Sequence, residues 1–130
     1  MDTWLPLIGR ILLVALFFES GIGKILHPTM TTGFMSQHGM PAVHVFLVLA
    51  ILAELGGGLS VLLGFLTRWG AAVLVLFMIL VTLIFHAEAG TMMQRAVLLE
   101  HLSITGGILL VMAYGAGRWS LDGWMARRQA

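Results

Sequence analysis

The chain has 130 residues, 59% of them apolar, with only seven basic and six acidic side chains, against roughly a quarter charged in an ordinary soluble domain. A mean hydropathy of +1.00 excludes such a domain, because a small fold exposes much of its surface and must make that surface polar. A formal net charge of +1 argues against a nucleic-acid partner, and the absence of cysteine excludes disulfides, a CxxC redox pair, a thiolate zinc site and covalent c-type haem.

The solvent is therefore lipid, and a helix crosses its core in about 20 apolar residues. Four such spans follow in chain order: Leu5 to Leu26, Val43 to Leu66, Gly70 to Phe85 and Ala96 to Tyr114. Lipid offers no hydrogen bonds to open strand edges, so an all-α membrane protein is expected, an antiparallel four-transmembrane-helix bundle in one domain over 1–130. The first span follows Met1-Asp2 without a basic leader and carries Arg10, Glu19 and Lys24, so it is expected to be retained rather than cleaved as a signal peptide. His27-Pro28-Thr29 closes it, and the longest loop runs from there to Gly39-Met40-Pro41. Thr67-Arg68-Trp69-Gly70 reads as a tight connection, and His86 through Arg95 as a polar loop before the fourth span.

Basic residues near the helix ends divide as Arg68, Arg118, Arg127 and Arg128 on one side against Lys24 and Arg95 on the other. This bias puts both termini in the cytoplasm, with Trp4, Trp69, Trp119 and Trp124 at the same interface. Apolar lipid tails cannot drive apolar helices together, so small residues must let backbones approach. Gly56, Ser60 and Gly64 recur every four residues, beside Ala53 and Gly57, and Ser103 and Gly107 repeat the spacing. We read these rows as seams within one bundle, the alternative being a homo-oligomer contact.

A charge inside the bilayer needs a partner, a water-filled cavity or a place near the interface. Arg10, Phe17, Gly21 and Lys24 share one face of the first helix, which is expected to look inward, while Glu19 lies about 180° from Arg10. Glu54 falls near the middle of its span, and an Arg10–Glu54 pair is expected. That pair either merely neutralises two buried charges or takes part in chemistry. His86, Glu88, Glu100 and His101 collect near the outer ends and are expected to converge on one outer pocket. Two histidines with carboxylates are ligand types for a metal or b-type haem. Without an HxxxH or ExxH repeat, the favoured reading is hydrogen-bonded interfacial histidines, with no metal site.

The polar positions and glycines together resemble the DoxX family of small four-helix bacterial inner-membrane proteins. The resemblance rests on Arg10-Ile11-Leu12, Ser20-Gly21-Ile22-Gly23-Lys24, Glu54-Leu55-Gly56-Gly57-Gly58-Leu59, Gly64-Phe65-Leu66-Thr67-Arg68, Phe85-His86, Gly106-Gly107 and Gly115 through Asp122. It implies a respiratory or redox setting, since relatives include a small subunit linked to a terminal quinol oxidase and the membrane subunit of a thiosulfate:quinone oxidoreductase. The family's recurrent polar positions fall on Arg10, Lys24, Glu54, His86 and Asp122. The chain departs from the pattern at Glu19 and at Glu100-His101.

With no cysteine and one tyrosine, side chains alone carry no electrons, so a redox role must borrow a quinone or the cofactor of a partner oxidoreductase subunit. A quinone needs an apolar groove ending in a few proton donors, and Arg10, Lys24, Glu54, His86 and His101 are the candidate ligand-binding residues. His86 is the candidate proton donor to a quinone oxygen, and Glu54 the acceptor or relay, with Arg10 tuning the carboxylate. Two other readings stay open: a non-enzymatic anchor or assembly subunit, and a small-solute or metal-handling transporter. The transporter is disfavoured because four spans leave little room for two gated pathways.

Overall fold

The computed structural model describes residues 3–130; Met1 and Asp2, which entered the leader argument, lie outside them. The helices are α1 (Leu5–Leu26), α2 (Pro28–Gln37), α3 (Val43–Leu63), α4 (Thr67–Phe85), α5 (Met92–Tyr114) and α6 (Leu121–Gln129). Four of them, α1, α3, α4 and α5, are long and apolar enough to cross a membrane, and no strand occurs among the described residues. The protein is an antiparallel four-transmembrane-helix bundle with short helices at two of its corners.

Several boundaries differ from those expected, each for a local reason. The second span stops at Leu63 rather than Leu66 because Gly64 turns into the left-handed region at φ 66°, a conformation open to glycine at little cost. The third span starts at Thr67 rather than Gly70, since its first N–H groups are capped by Asp122 from far along the chain. The fourth starts at Met92 rather than Ala96, because Thr91 and Gln94 form a reciprocal capping box. Pro28 closes one helix and also opens α2, where a first-turn position needs no N–H. The tail after Tyr114 folds into α6, its first turn capped by the Ser120 hydroxyl.

The inward face of α1 is Arg10, Val14, Phe17 and Gly21, as the helical spacing predicts, and Glu19 is exposed. Val14 and Phe17 pack with Val61, Ala71, Leu74 and Ile108 into the core. The small-residue seam between α3 and α4 uses Gly57, Ser60 and Gly70: a Cβ on Gly57 would sit 2.8 Å from Leu74 Cγ, and one on Gly70 would overlap the Ser60 side chain. Gly56 faces open space, and Gly64 ends its helix, so the expected Gly56–Ser60–Gly64 row is not the seam. On α5, a Cβ on Gly107 would lie 3.2 Å from Leu13 of α1.

In α3 the residues Leu52–Gly56 form a single π-helical turn. Such a turn inserts one residue into the α-helical ladder and re-aims the side chains around it. It carries Glu54, and with it the candidate site.

Candidate functional site

Gly21 allows α1 and α3 to touch where Glu54 emerges, since a Cβ there would lie 2.8 Å from Leu55 Cγ and 3.5 Å from Glu54 Cβ. One turn along α1, the Lys24 ammonium donates to both carboxylate oxygens of Glu54 at 3.0 Å and to Ser20 Oγ at 2.7 Å. The Ser20 hydroxyl donates in turn to Glu54 Oε1 at 2.9 Å. Glu54 is 2% exposed, so these three bonds are what offsets the cost of removing its charge from water.

The expected Arg10–Glu54 pair does not form, because Glu54 lies level with Gly21. Arg10 is 11 residues away from Gly21 on α1, about 16 Å at 1.5 Å per residue. The Arg10 guanidinium instead donates to the carbonyls of Val61 and Leu62 at 3.0 and 2.9 Å, and to that of Trp119. It ties the end of α3 to the segment before α6. Beside it the Asp122 carboxylate accepts from Leu66 N at 3.0 Å, Thr67 N at 2.9 Å and Thr67 Oγ1 at 2.6 Å, and Asp122 N donates to Gly64 O at 2.7 Å. Burial alone would raise the Asp122 carboxyl, but the hydrogen bonds from Thr67 and Leu66, with the Arg10 charge, hold it below its ordinary value.

Lys24 and Glu54 open onto a cavity of about 470 Å³ whose wall also includes His86, Glu100 and His101. Phe17, Phe34, Phe77 and Phe85 supply its aromatic sides. Of the expected outer group, His86, Glu100 and His101 line this cavity although Glu100 and His101 are adjacent in the chain, while Glu88 does not and instead accepts from Gln94 Nε2 at 3.0 Å. Arg10 lines a separate cavity with Pro6, Gly9 and Tyr114. The His86 and His101 rings meet edge-on with centroids 4.7 Å apart, and His101 Nδ1 lies 3.0 Å from Thr82 Oγ1. His38, Phe34 and Phe85 form a three-ring cluster, the His38 ring tilted on Phe34 at 4.4 Å and edge-on to Phe85 at 4.9 Å, with the two phenylalanines 5.0 Å apart. Burial, and secondarily the proximity of His38, push the His86 imidazole below its ordinary value, so it is neutral at pH 7. Among the described residues no group of three or more His, Asp or Glu side chains is placed to hold a metal ion.

Two members of the site escape a reading of charges alone. Ser20 precedes Lys24 by four residues, one helical turn on the same face, which is a usable signal. Thr82, which orients His101, carries none, because its role depends on how α4 and α5 are rotated against each other.

The DoxX family profile matches residues 5–87. The chain is 38% identical to inner membrane protein YqjF of Escherichia coli K12, over 89% of this chain and 88% of that protein. It is 32% identical to inner membrane protein YphA of the same organism, over 91% and 88% of the two chains, and 31% identical to the uncharacterized membrane protein Rv3486 of Mycobacterium tuberculosis, over 92% and 80%. No solved structure matches the chain. The four apolar spans and these inner-membrane relatives make this a multi-pass inner-membrane protein, and the chain belongs to the DoxX family.

Proposed function

We propose that this protein is a quinone-interacting subunit or accessory of a membrane oxidoreductase, acting as one transmembrane domain with both termini in the cytoplasm. The observation that carries the reading is the cavity, whose lining combines aromatic side chains with Lys24, Glu54, His86 and His101. Its volume of about 470 Å³ falls within the range of small-molecule sites. A quinone ring suits this shape, being flat, apolar on its faces and hydrogen-bonding at its two oxygens.

In this reading the neutral His86 ring presents an N–H to one carbonyl oxygen, and the Lys24–Glu54–Ser20 array holds a proton for transfer at the polar end. Replacing the expected Arg10 by Lys24 as the partner of Glu54 changes the chemistry available. A guanidinium is a rigid planar fork, whereas an ammonium is a compact donor that serves both carboxylate oxygens and the Ser20 hydroxyl together. Electrons come from a partner subunit, since the chain has no cysteine and a single tyrosine. The four arginines at the tryptophan-bearing end, against Lys24 and Arg95 at the other, support the cytoplasmic placement of the termini.

The test is quinone-dependent activity in membranes carrying Glu54→Gln or His86→Ala, with the amount of the protein measured alongside. Loss of activity at normal abundance supports the reading. Unchanged activity, or loss that follows lost assembly of a complex, supports the non-enzymatic anchor instead.

A further inference from the structure

A second space, wholly apolar, lies between α3 and α4 beside the candidate site. The two helices touch at the Gly57–Gly70 seam, but from Val43 to Ile51 the backbone of α3 scarcely approaches α4. They therefore part towards the histidine end, where Met35 of α2 lines the opening. The result is a groove of about 530 Å³ whose every lining side chain is apolar. Leu49, Leu52, Leu76 and Leu80 on its sides are exposed, so it opens towards the acyl chains of the bilayer.

The groove shares a wall with the cavity of the candidate site, since Met35, Ala50, Phe77, Val81 and Phe85 line both. Phe77, Val81 and Phe85 recur every four residues, so one stripe of α4 divides the two spaces. Leu76, Leu80 and Ile84 lie on its groove side, Met78 and His86 on its cavity side. The π-turn of α3 makes the same division between consecutive residues, with Ala53 in the groove wall and Glu54 in that of the cavity. Polar groups are thus confined to one of two adjoining spaces, and the other suits only hydrocarbon. Glu54 lies about 16 Å below the outer end of α3 at Val43, at 1.5 Å per residue. An amphiphile reaching both spaces must carry its polar end that deep in the bilayer, as an uncharged quinone ring allows and a phospholipid headgroup at the interface does not.

We propose that this groove holds the isoprenoid tail of the quinone whose ring occupies the cavity. The inference rests on the quinone reading and adds a substrate class to it: a membrane-resident quinone with a long prenyl chain, not a small soluble one. The methyl-branched chain packs against Phe46, Leu49, Leu76 and Leu80, while the flexible thioether arms of Met35 and Met40 adjust to its branches.

The experiment measures binding to the full chain in detergent micelles of one quinone ring carrying either a long isoprenoid tail or a single isoprene unit. The quantity read is the ratio of the two affinities, because partition of the long tail into detergent is the same for every variant and cancels. Leu76→Trp and Leu80→Trp narrow the groove from exposed positions outside the cavity, and Leu83→Trp, exposed and lining neither space, is the control. The proposal expects the ratio to fall about tenfold in Leu76→Trp and Leu80→Trp, the scale of packing left once apolar transfer cancels against the micelle. The single-unit quinone should bind as before in both, and Leu83→Trp should match the natural chain. An unchanged ratio in both groove variants would overturn the tail site, and leaves the ring site standing where the single-unit quinone still binds. No saturable binding of either quinone by the natural chain would overturn the quinone reading and the tail site with it. A tail preference abolished by added phosphatidylcholine would also overturn the tail site, assigning the groove to a lipid acyl chain.

Discussion

Lys24 and Glu54, 30 residues apart in the chain, form an ion pair in which one ammonium spans both carboxylate oxygens at 3.0 Å. The pair sits where α1 meets the π-turn of α3, and it faces the cavity. Removing one partner leaves the other charged at a largely buried position, whereas removing both leaves only an apolar gap. Lys24→Met is therefore expected to destabilise the bundle by about 3–5 kcal/mol, and Lys24→Met with Glu54→Leu to recover most of that loss. Reversible unfolding in mixed micelles measures both. A double variant as unstable as the single one would show that the pair is not what holds this contact.

Arg10 is the counterpart at the other end and serves a different purpose. Its guanidinium bridges three backbone carbonyls on two segments, a geometry that one ammonium group does not reproduce. Arg10→Lys should cost about 3 kcal/mol of stability and leave ligand binding in the histidine-lined cavity unaltered. A selective loss of cavity binding at full stability would contradict the separation of the two ends.

Asp122 caps α4 from outside its own helix, so Asp122→Asn removes a charged cap and should cost about 1–2 kcal/mol. The sign of its pH dependence follows from its lowered carboxyl. The unfolded chain binds the proton more readily, so the stabilisation is complete above the ordinary carboxylate range, near pH 3.9, and disappears as the pH falls through the lower folded value. Melting curves of the natural chain and Asp122→Asn should converge at the acid end and separate towards neutrality.

His86 gives a second window. Its imidazole lies below the ordinary value, so below about pH 6.5 the unfolded chain takes up more protons and stability falls with pH. The neutral ring's contribution is intact above about pH 6.5 and lost as the pH drops through the folded value. His86→Phe should flatten the stability profile below about pH 6.5, read by thermal unfolding.

The seam between α3 and α4 separates glycines that are needed from those that are not. Gly70→Ala drives a methyl into Ser60, whose hydroxyl is engaged by the Phe65 carbonyl at 2.6 Å, so Ser60 has nowhere to turn without losing that bond. A loss of about 1–3 kcal/mol is expected. Gly56→Ala meets open space and should be neutral or slightly stabilising. The same unfolding assay compares them, and equal effects would contradict the assignment of the seam.

Hydropathy and charge were enough to find four spans, the inward face of α1 and the gathering of Lys24, Glu54, His86 and His101, because burial patterns repeat with the helical period. The pairing was not legible in the same way. Judging Arg10 to reach Glu54 treats the helices as level rods, whereas the offset between α1 and α3 is set by Gly21 packing against Leu55 and by the Arg10 bonds at the far end. The π-turn leaves no mark on hydropathy. Pro28 was legible as a stop but serves also as a start, and the first turn of α4 depends on Asp122, 55 residues further on. The capping box at Thr91 and Gln94 and the Ser120 cap were visible signals of helix starts that an apolarity criterion passes over.

The most direct measurement is equilibrium binding of a short-tailed quinone to the purified natural chain and to Glu54→Gln, with Arg10→Lys alongside. The account predicts saturable binding by the natural chain, weakened about ten- to a hundredfold by Glu54→Gln, as loss of a hydrogen bond to a charged group implies, and unaltered by Arg10→Lys. Absence of saturable binding by the natural chain, or equal affinity in Glu54→Gln, would contradict it.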